Sequence, residues 1–344
     1  EKAPFIVLAC GASLIGFLAK DRFGTVATLD DYSALSRLNS ALYGLVFYIW
    51  KTFAPLEGLS PLYEKLSYFR EIGTVDLRSG LFVLAISTGF FLIRKRWPAG
   101  IAVWIYYGAM LIPVLGIVPF GPQIVADRYS YLACLGWGIL AGAGAVYVWL
   151  LWSERRMARQ LFWLINGVSV LLLIMLSALT WRQTQVWHDS ERLWKHALVV
   201  DPRSSFAHNN LGLIRAERGE LKEAIRYLRE AVRIDPVFSE AHNNLGYALL
   251  AQGASNEAIA EFRKAIELKP RDLSPRNNLG NALAARGDLN GAVQQFHEVL
   301  QVNPDSAEAH YNLARVLAKQ GNVQDALANY NLALQRKPLN PDIH

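Results

Sequence analysis

Apolar and polar residues follow two different patterns along this chain. Up to about residue 181 the apolar residues form long continuous runs, whereas from residue 187 onward they recur every three or four positions among charged ones. A continuous run of about 20 apolar residues is long enough to cross the hydrocarbon core of a bilayer as a helix. Amphipathic spacing is typical of helices that face water on one side. The pattern therefore predicts an all-α protein with a polytopic transmembrane helix bundle followed by a water-exposed helical part.

Five apolar runs are predicted to span the membrane: 4–19, 80–93, 98–120, 131–152 and 161–181. The last of them reads LFWLINGVSVLLLIMLSALTW and contains no charged residue. Another run, 41–55, contains Lys51 and several aromatic residues, which favours an interfacial or re-entrant helix over a full crossing. Six spans remain the alternative. Residues 1–182 are thus predicted to form the transmembrane domain of a multi-pass integral membrane protein.

Two basic clusters predict the orientation of these spans. Short loops rich in Lys and Arg stay on the cytoplasmic side, which places 94–96 and 155–159 inside the cell. The intervening loop, 121–130, is then external. The span that follows residue 159 leads outward, so everything after it is expected in the periplasm or a lumen. If 41–55 does not cross, residues 20–79 form one long external segment.

Behind the last span the chain repeats itself with a period of 34 residues. Four residue types recur at this step: Pro202, Pro236, Pro270, Pro304 and Pro338; Gly219, Gly253, Gly287 and Gly321; Ala224, Ala258, Ala292 and Ala326; Leu211, Leu245, Leu279 and Leu313. A 34-residue period that holds two helical patterns resembles the tetratricopeptide repeat (TPR). The resemblance implies a TPR α-solenoid of four units, 203–236, 237–270, 271–304 and 305–338. Residues 187–202 are predicted as the second helix of a half-repeat, and 339–344 as the start of a truncated fifth unit.

One polar position in the first helix of each unit is a candidate peptide-binding site. It is occupied by Asn210, Asn244, Asn278 and Asn312. Because an amide carries both a donor and an acceptor, a ladder of Asn side chains is able to pair with the backbone of an extended acceptor peptide. A similar ladder is implied by resemblance to the repeats of the O-linked N-acetylglucosamine transferase. The alternative is that these amides bond between adjacent helices. The recurring His208, His242 and His310, one per unit, are too far apart to share a metal and are predicted as packing residues.

Composition supports a membrane protein and gives no indication of nucleic-acid binding. The chain has 344 residues, 52% of them apolar, and a net charge of +6. Residues 1–181 hold 15 Lys and Arg against 10 Asp and Glu, while 182–344 hold 20 against 19. The excess positive charge therefore lies beside the spans, and the repeats lack a basic excess. Cys10 and Cys134 both lie in apolar runs, which predicts buried thiols without a disulfide or a metal site.

The loop between the third and fourth predicted spans is a candidate chemical centre. Residues 114–132 read VLGIVPFGPQIVADRYSYL, and Asp127 and Arg128 are the only charged residues between Trp97 and Glu154. Ions at a membrane boundary cost desolvation energy unless they pair or serve a ligand, so they indicate function by default. The alternative is an interfacial ion pair that merely ends two helices.

The segment around Asp127 resembles the ADRY-type loop of the membrane O-mannosyltransferases that carry TPRs, in the C-type glycosyltransferase superfamily. Three further segments agree with that family: RLNSALYGLVFYIWKTFAP at 37–55, RKRWP at 94–98 and WRQTQVWHDSERLW at 181–194. The resemblance implies transfer of a sugar, with mannose expected, from a polyprenyl-phosphate donor to protein hydroxyls on the external face. Arg128 and Lys51 are suited to hold the donor phosphate, and Asp127 to orient Arg128 or bind a divalent metal. For Lys51 the alternative is snorkelling toward water.

The catalytic residue is not identified in this sequence. In the superfamily the catalytic acid lies in the first external loop, which would precede Glu1, since the chain has no initiator Met and both its ends look cut. Asp30 and Asp31 are weak candidates, because adjacent acids in a polar loop are usually just solvated. The 344-residue chain alone is therefore expected to be inactive. The alternative function is a membrane-anchored TPR scaffold that recruits proteins without catalysis.

Overall fold

The computed structural model describes residues 34–53, 63–64, 77–111, 123–125 and 130–336. The chain divides into two compact units, Glu1–Pro202 and Arg203–His344. The predicted span 4–19 lies outside the described residues, and so do Asp30, Asp31, Asp127 and Arg128.

The described part of the first unit contains six helices and two short strands. They are α1 (Ala34–Phe53), β1 (Tyr63–Glu64), α2 (Leu77–Ile93), α3 (Pro98–Leu111), β2 (Gln123–Val125), α4 (Ser130–Ser153), α5 (Arg159–Val186) and α6 (Ser190–Val200). Helix α6 begins at the N-cap Asp189, whose carboxylate accepts a hydrogen bond from the Arg192 N–H at 2.8 Å. The predicted half-repeat helix thus has its own start signal.

Two described helices are long and apolar enough to cross a bilayer, Cys134–Ser153 within α4 and Arg159–Val186, which is α5. At a rise of ~1.5 Å per residue, α5 is about 42 Å long. The apolar helices α2 and α3 are shorter, with 17 and 14 residues, and the chain from 112 to 122 lies outside the described residues. The structure therefore contains two helices of spanning length in its described part, and the number of spans stays a prediction.

An aromatic cluster joins α1, α2 and α3. Tyr48 and Tyr107 are fully buried at its centre, and the rings of Trp104 and Tyr107 stack with their centroids 5.7 Å apart. The Tyr107 hydroxyl donates to the Leu45 carbonyl oxygen at 3.1 Å, and the Trp104 indole donates to Ser87 Oγ at 3.0 Å. Helix α1, which covers most of the run 41–55 predicted as an interfacial or re-entrant element, therefore packs against α2 and α3.

The two strands pair antiparallel, with Tyr63 opposite Val125 and Glu64 opposite Gln123. They were not predicted, because a strand of two or three residues has no detectable periodicity. Strand β1 lies in the connection between α1 and α2, and β2 lies in the connection between α3 and α4. The pairing therefore brings two connections together that are separate in sequence.

Each repeat of the second unit folds as a helix A of 13 residues and a helix B of 14. The helices are α7 (Ser205–Glu217), α8 (Leu221–Ile234), α9 (Ser239–Ala251), α10 (Ser255–Leu268), α11 (Ser274–Arg286), α12 (Leu289–Val302), α13 (Ala307–Lys319) and α14 (Val323–Arg336). The recurring glycines after helix A have φ between +77° and +93°, the left-handed region that glycine adopts without strain. This explains why Gly recurs with the period of the repeat.

Small residues in helix A allow helix B to approach. A Cβ atom added to Gly246 would lie 2.7 Å from the ring of Phe262, and one on Gly280 would lie 2.6 Å from the ring of Phe296. Both rings are fully buried in a core that continues from α8 to α14. In the fourth unit Ala314 takes the place of Gly and the facing Tyr330 is half-buried. The glycines at 246 and 280 thus leave the space that the rings of Phe262 and Phe296 occupy.

Candidate functional site

Three of the four predicted Asn residues form hydrogen bonds between successive units. Nδ2 of Asn244 donates to Oδ1 of Asn209 at 3.0 Å, Nδ2 of Asn278 donates to Oδ1 of Asn243 at 2.9 Å, and Nδ2 of Asn312 donates to Oδ1 of Asn277 at 3.2 Å. Asn210, in the first unit, donates to the Phe206 carbonyl oxygen at 2.8 Å. Each acceptor stands one residue before the predicted position in the preceding unit. These acceptors were not predicted, although Asn-Asn pairs occur in the sequence at three of the four positions.

These bonds use only part of each amide. In the described part of the chain, no hydrogen bond is recorded to Oδ1 of Asn244, Asn278 or Asn312. Asn244 and Asn278 are half-buried, whereas Asn312 is buried. The structure thus shows the bond between adjacent helices that was the alternative interpretation, and peptide binding by the remaining amide atoms stays a prediction.

A cleft of about 300 Å³ opens beside this ladder on the A helices of the last three units. We call it the A-helix cleft. It is lined by Leu250 of α9, by Asn281, Ala284 and Ala285 of α11, and by Asn312, Arg315, Val316 and Lys319 of α13. Its surface combines an apolar floor with two amides and two cations. Such a combination is typical of a site that binds an apolar group and fixes its orientation with a few polar contacts.

The two cations of the cleft differ in their partners from two arginines of α8 and α11. Arg229 pairs with Glu257 at 2.8 Å and Arg276 pairs with Glu298 at 2.5 Å. For Arg315 and Lys319 no ion pair is recorded among the described residues. The Arg315 guanidinium lies 5.7 Å from the centroid of the Tyr311 ring. Among the described residues, therefore, no carboxylate forms an ion pair with either cation of the cleft.

His242, predicted as a packing residue, has two polar partners. Its Nδ1 lies 2.6 Å from Glu261 Oε2 on helix B of the same unit, and its Nε2 lies 3.1 Å from the Pro236 carbonyl oxygen at the end of the preceding unit. Burial of the ring opposes its charged form, but the hydrogen bonds to Glu261 and Pro236 together with the Glu261 charge outweigh it. The pKa of His242 is therefore raised above its ordinary value.

His310 occupies the same place in the fourth unit with a different partner. Its Nε2 lies 3.0 Å from the Pro304 carbonyl oxygen, and its Nδ1 lies 2.8 Å from Asn329 Oδ1. An amide thus replaces the carboxylate of the second unit. In both units the imidazole links helix A to helix B and to the preceding unit, a role that the sequence pattern did not indicate.

The side chains predicted to bind the donor phosphate lie outside the described part of the structure, but elements adjacent to them in sequence are described. Lys51 lies in the last turn of α1, and its side chain is outside the described part of the structure. Strand β2 ends at Val125, two residues before Asp127, and lies against α1. The chain that leads to Asp127 and Arg128 therefore runs beside the helix that contains Lys51.

The fold defines the class of the second unit. Residues 212–253 match a model of the TPR repeat, and residues 239–272 and 277–341 match models of the tetratricopeptide repeat. These residues are therefore TPRs, as the 34-residue period predicted. Domains of this class commonly bind peptides or proteins.

Among curated proteins, this chain is similar to protein O-mannosyl-transferases. It is 26% identical over 203 residues to Protein O-mannosyl-transferase TMTC1 of Homo sapiens, which covers 57% of this chain and 22% of that protein. It is 27% identical over 202 residues to TMTC1 of Mus musculus, covering 57% and 21%, and 30% identical over 119 residues to Tmtc2 of Drosophila melanogaster, covering 35% and 12%. The chain thus spans about a fifth or less of the length of these relatives.

Among solved structures, the chain is similar to TPR proteins. It is 26% identical to YrrB, a TPR protein with an unusual peptide-binding site, with a TM-score of 0.38 over 44% of this chain and 77% of that one. It is 24% identical to PilF of Pseudomonas aeruginosa, with a TM-score of 0.41 over 52% and 78%.

Proposed function

We propose that this chain is part of a membrane glycosyltransferase that moves a sugar, with mannose expected, from a polyprenyl-phosphate donor to hydroxyls of proteins. The observation that carries the proposal is the combination, in one chain, of long apolar helices, TPRs and 26 to 30% identity to protein O-mannosyl-transferases. In this proposal the apolar helices hold the lipid donor in the membrane, and the repeats present the acceptor protein.

The donor phosphate is assigned to Arg128 and Lys51. The approach of β2 to α1 supports this assignment, because it leads the chain toward Asp127 beside the helix that contains Lys51. Two cations there would hold the phosphate and offset the negative charge that develops as the sugar leaves. Asp127 would orient the Arg128 guanidinium or bind a divalent metal.

The strand pairing also supports the predicted sidedness. Because β1 pairs with β2, the connection after α1 and the connection after α3 reach the same place. The second connection was predicted to be external, opposite to the basic turns 94–96 and 155–159, and the first is external as well if the run 41–55 does not cross the membrane. In the proposal this external side is the periplasm or a lumen and also contains the repeats.

The Asn ladder is assigned to the backbone of the acceptor. Each amide of Asn244, Asn278 and Asn312 uses one N–H for its neighbouring unit and retains an N–H and a carbonyl oxygen. These are the groups that pair with one residue of an extended chain, independent of its sequence. Such recognition suits an enzyme whose acceptors differ in sequence.

The test of this proposal is sugar transfer by full-length protein reconstituted in lipid, with a polyprenyl-phosphate sugar as donor. Removing a cation that stabilises developing charge costs a factor of about 10² to 10³ in turnover, so Arg128→Ala should lose most of the activity. Arg96→Ala removes the same charge from a turn predicted to be cytoplasmic and should remain active. Unchanged turnover of Arg128→Ala at normal expression would contradict the assignment.

A second candidate function is a membrane-anchored scaffold without catalysis. The observation that favours it is the repeat domain itself, whose helices α8 to α14 share one core and carry an open cleft. In that case full-length protein would bind peptides through the repeats while transferring no sugar from any polyprenyl-phosphate donor. The same reconstituted preparation decides between the two functions.

A further inference from the structure

Two cations depart from the repeat pattern at the A-helix cleft. Arg315 stands where the preceding units have Leu213, Tyr247 and Asn281, and Lys319 stands where they have Glu217, Ala251 and Ala285. The fold of the repeat does not account for these two residues, since a residue that the fold requires would recur in each unit. A cation in the last turn of a helix is favoured by the helix dipole, which applies to Lys319 but not to Arg315, one turn earlier.

The positions of the two charges favour an anionic ligand. Arg315 and Lys319 are four residues apart on α13, so they lie on the same face of the helix, and both are exposed. Like charges at this spacing repel each other. The nearest recorded carboxylate on the same helix is Glu308, which accepts a hydrogen bond from Nδ2 of Asn277 at 2.6 Å and lies two turns before Arg315. An anion between the two cations would remove their repulsion.

We infer that the A-helix cleft binds an acidic side chain, Asp or Glu, of an extended peptide. The carboxylate lies between Arg315 and Lys319, where the guanidinium is able to donate two parallel hydrogen bonds. A neighbouring apolar side chain of the peptide lies on Leu250, Ala284 and Val316. The amides of Asn281 and Asn312 contact the backbone between them.

This inference rests on the part of the proposed function that assigns acceptor binding to the repeats, and it names the sequence feature that they recognise. An acceptor for O-linked sugar transfer is an internal segment of a protein. The ligand group is therefore a side-chain carboxylate. The peptides of the test have an amidated C-terminus, so that no C-terminal carboxylate contributes to binding.

The test uses the full chain in detergent or nanodiscs and two matched fluorescent peptides. Each peptide has about ten residues, which extend over about 33 Å, and consists of Ser, Thr and Val with an acetylated N-terminus and an amidated C-terminus. One contains a central Asp and the other a central Asn. We expect the Asp peptide to bind about tenfold more tightly, with a preference that falls as salt is added, because the contact is a charge pair near the surface.

The variant Arg315→Gln with Lys319→Gln should bind both peptides equally. The control is Lys222→Gln with Arg226→Gln, which removes an exposed Lys and Arg at the same spacing from helix B of the first unit and should keep the preference. Arg315→Lys with Lys319→Arg, which preserves the charges, should keep most of it. Equal binding of the two peptides by the wild-type chain, or an unchanged preference in the Gln variant, would overturn the inference.

The two proposals are tested separately, because peptide binding and sugar transfer are measured in different assays. Loss of transfer with a preserved preference for Asp would contradict the glycosyltransferase proposal and leave the cleft assignment intact. Active transfer without any preference for Asp would contradict the cleft assignment alone.

Discussion

The two units of this chain use apolar side chains in opposite ways. In the repeats the aromatic rings of Phe262 and Phe296 are completely buried, whereas Leu171 and Leu173 of α5 are 68% and 63% exposed. Water drives apolar groups inward, but in hydrocarbon an outward-facing Leu costs nothing. The outward-facing leucines of α5 are therefore consistent with the membrane location proposed for this helix, whereas the buried rings of the repeats are typical of a fold in water.

The helices within each unit are therefore held together by different kinds of contact. The repeats depend on interdigitated apolar side chains, with Gly246 and Gly280 making room for aromatic rings. The first unit joins its helices through an aromatic cluster with directed bonds from Tyr107 and Trp104. In the proposed membrane location, where no hydrophobic driving force acts between helices, close packing and interhelical hydrogen bonds are the available sources of stability.

The largest expected difference between the units comes from truncating an apolar side chain. Phe262→Ala should destabilise the repeats by about 3–5 kcal/mol, because it removes a buried ring and leaves a cavity. Leu171→Ala in α5 should cost less than about 0.5 kcal/mol in detergent, as for other exposed positions. Urea unfolding followed by circular dichroism measures both, and a comparable loss in the two variants would refute the comparison.

A charge placed in the middle of α5 tests its membrane environment. Leu172→Lys should reduce membrane insertion by about 2.5–3.5 kcal/mol, the cost of Lys at the centre of a spanning helix. Leu327→Lys, at a residue that is 58% exposed on α14, should have no effect. The fraction of each variant that is integrated into microsomal membranes measures this effect. Full integration of Leu172→Lys would show that α5 is not surrounded by lipid.

The bonds between repeats should contribute a smaller amount. Asn278→Ala removes the bond to Asn243, and Asn244→Ala removes the bond to Asn209, at a cost of about 1 kcal/mol each. Asn210→Ala is the control, because Asn210 bonds only within its own helix in the described structure. Thermal unfolding of the purified variants measures the difference. Equal stability of all three would mean that these amides do not link the units.

The smallest expected effect is a dependence of repeat stability on pH. Because the pKa of His242 is raised in the folded chain, its contribution is fully present below the unfolded value of ~6.5 and is lost as pH rises through the folded value. The Tm of wild type should therefore fall relative to that of Glu261→Gln between about pH 5.5 and about pH 8.5. His242→Gln, which removes the titrating ring, should show the same flatter dependence as Glu261→Gln. Parallel Tm profiles for wild type and Glu261→Gln would contradict the role of this pair.

The helices of the repeats were predictable because each unit contacts chiefly its neighbours. Gly219, Gly253 and the recurring prolines end the helices locally, so a period read along the chain is sufficient to place them. The Asn ladder was predicted for the same reason. Its acceptors, such as Asn209, were not, since the identity of a partner depends on how one unit stacks on the next. The cations of the cleft were missed because they break the period instead of following it.

Local periodicity along the chain was sufficient to predict the two kinds of helix, the 34-residue repeat and the residues that recur in it. Which distant groups meet became visible only in the folded chain. Tyr107 donates to a carbonyl oxygen 62 residues away, Asn244 to an amide 35 residues away, and β1 pairs with a strand beyond two intervening helices. No local pattern specifies such contacts, because they depend on the packing of several helices at once.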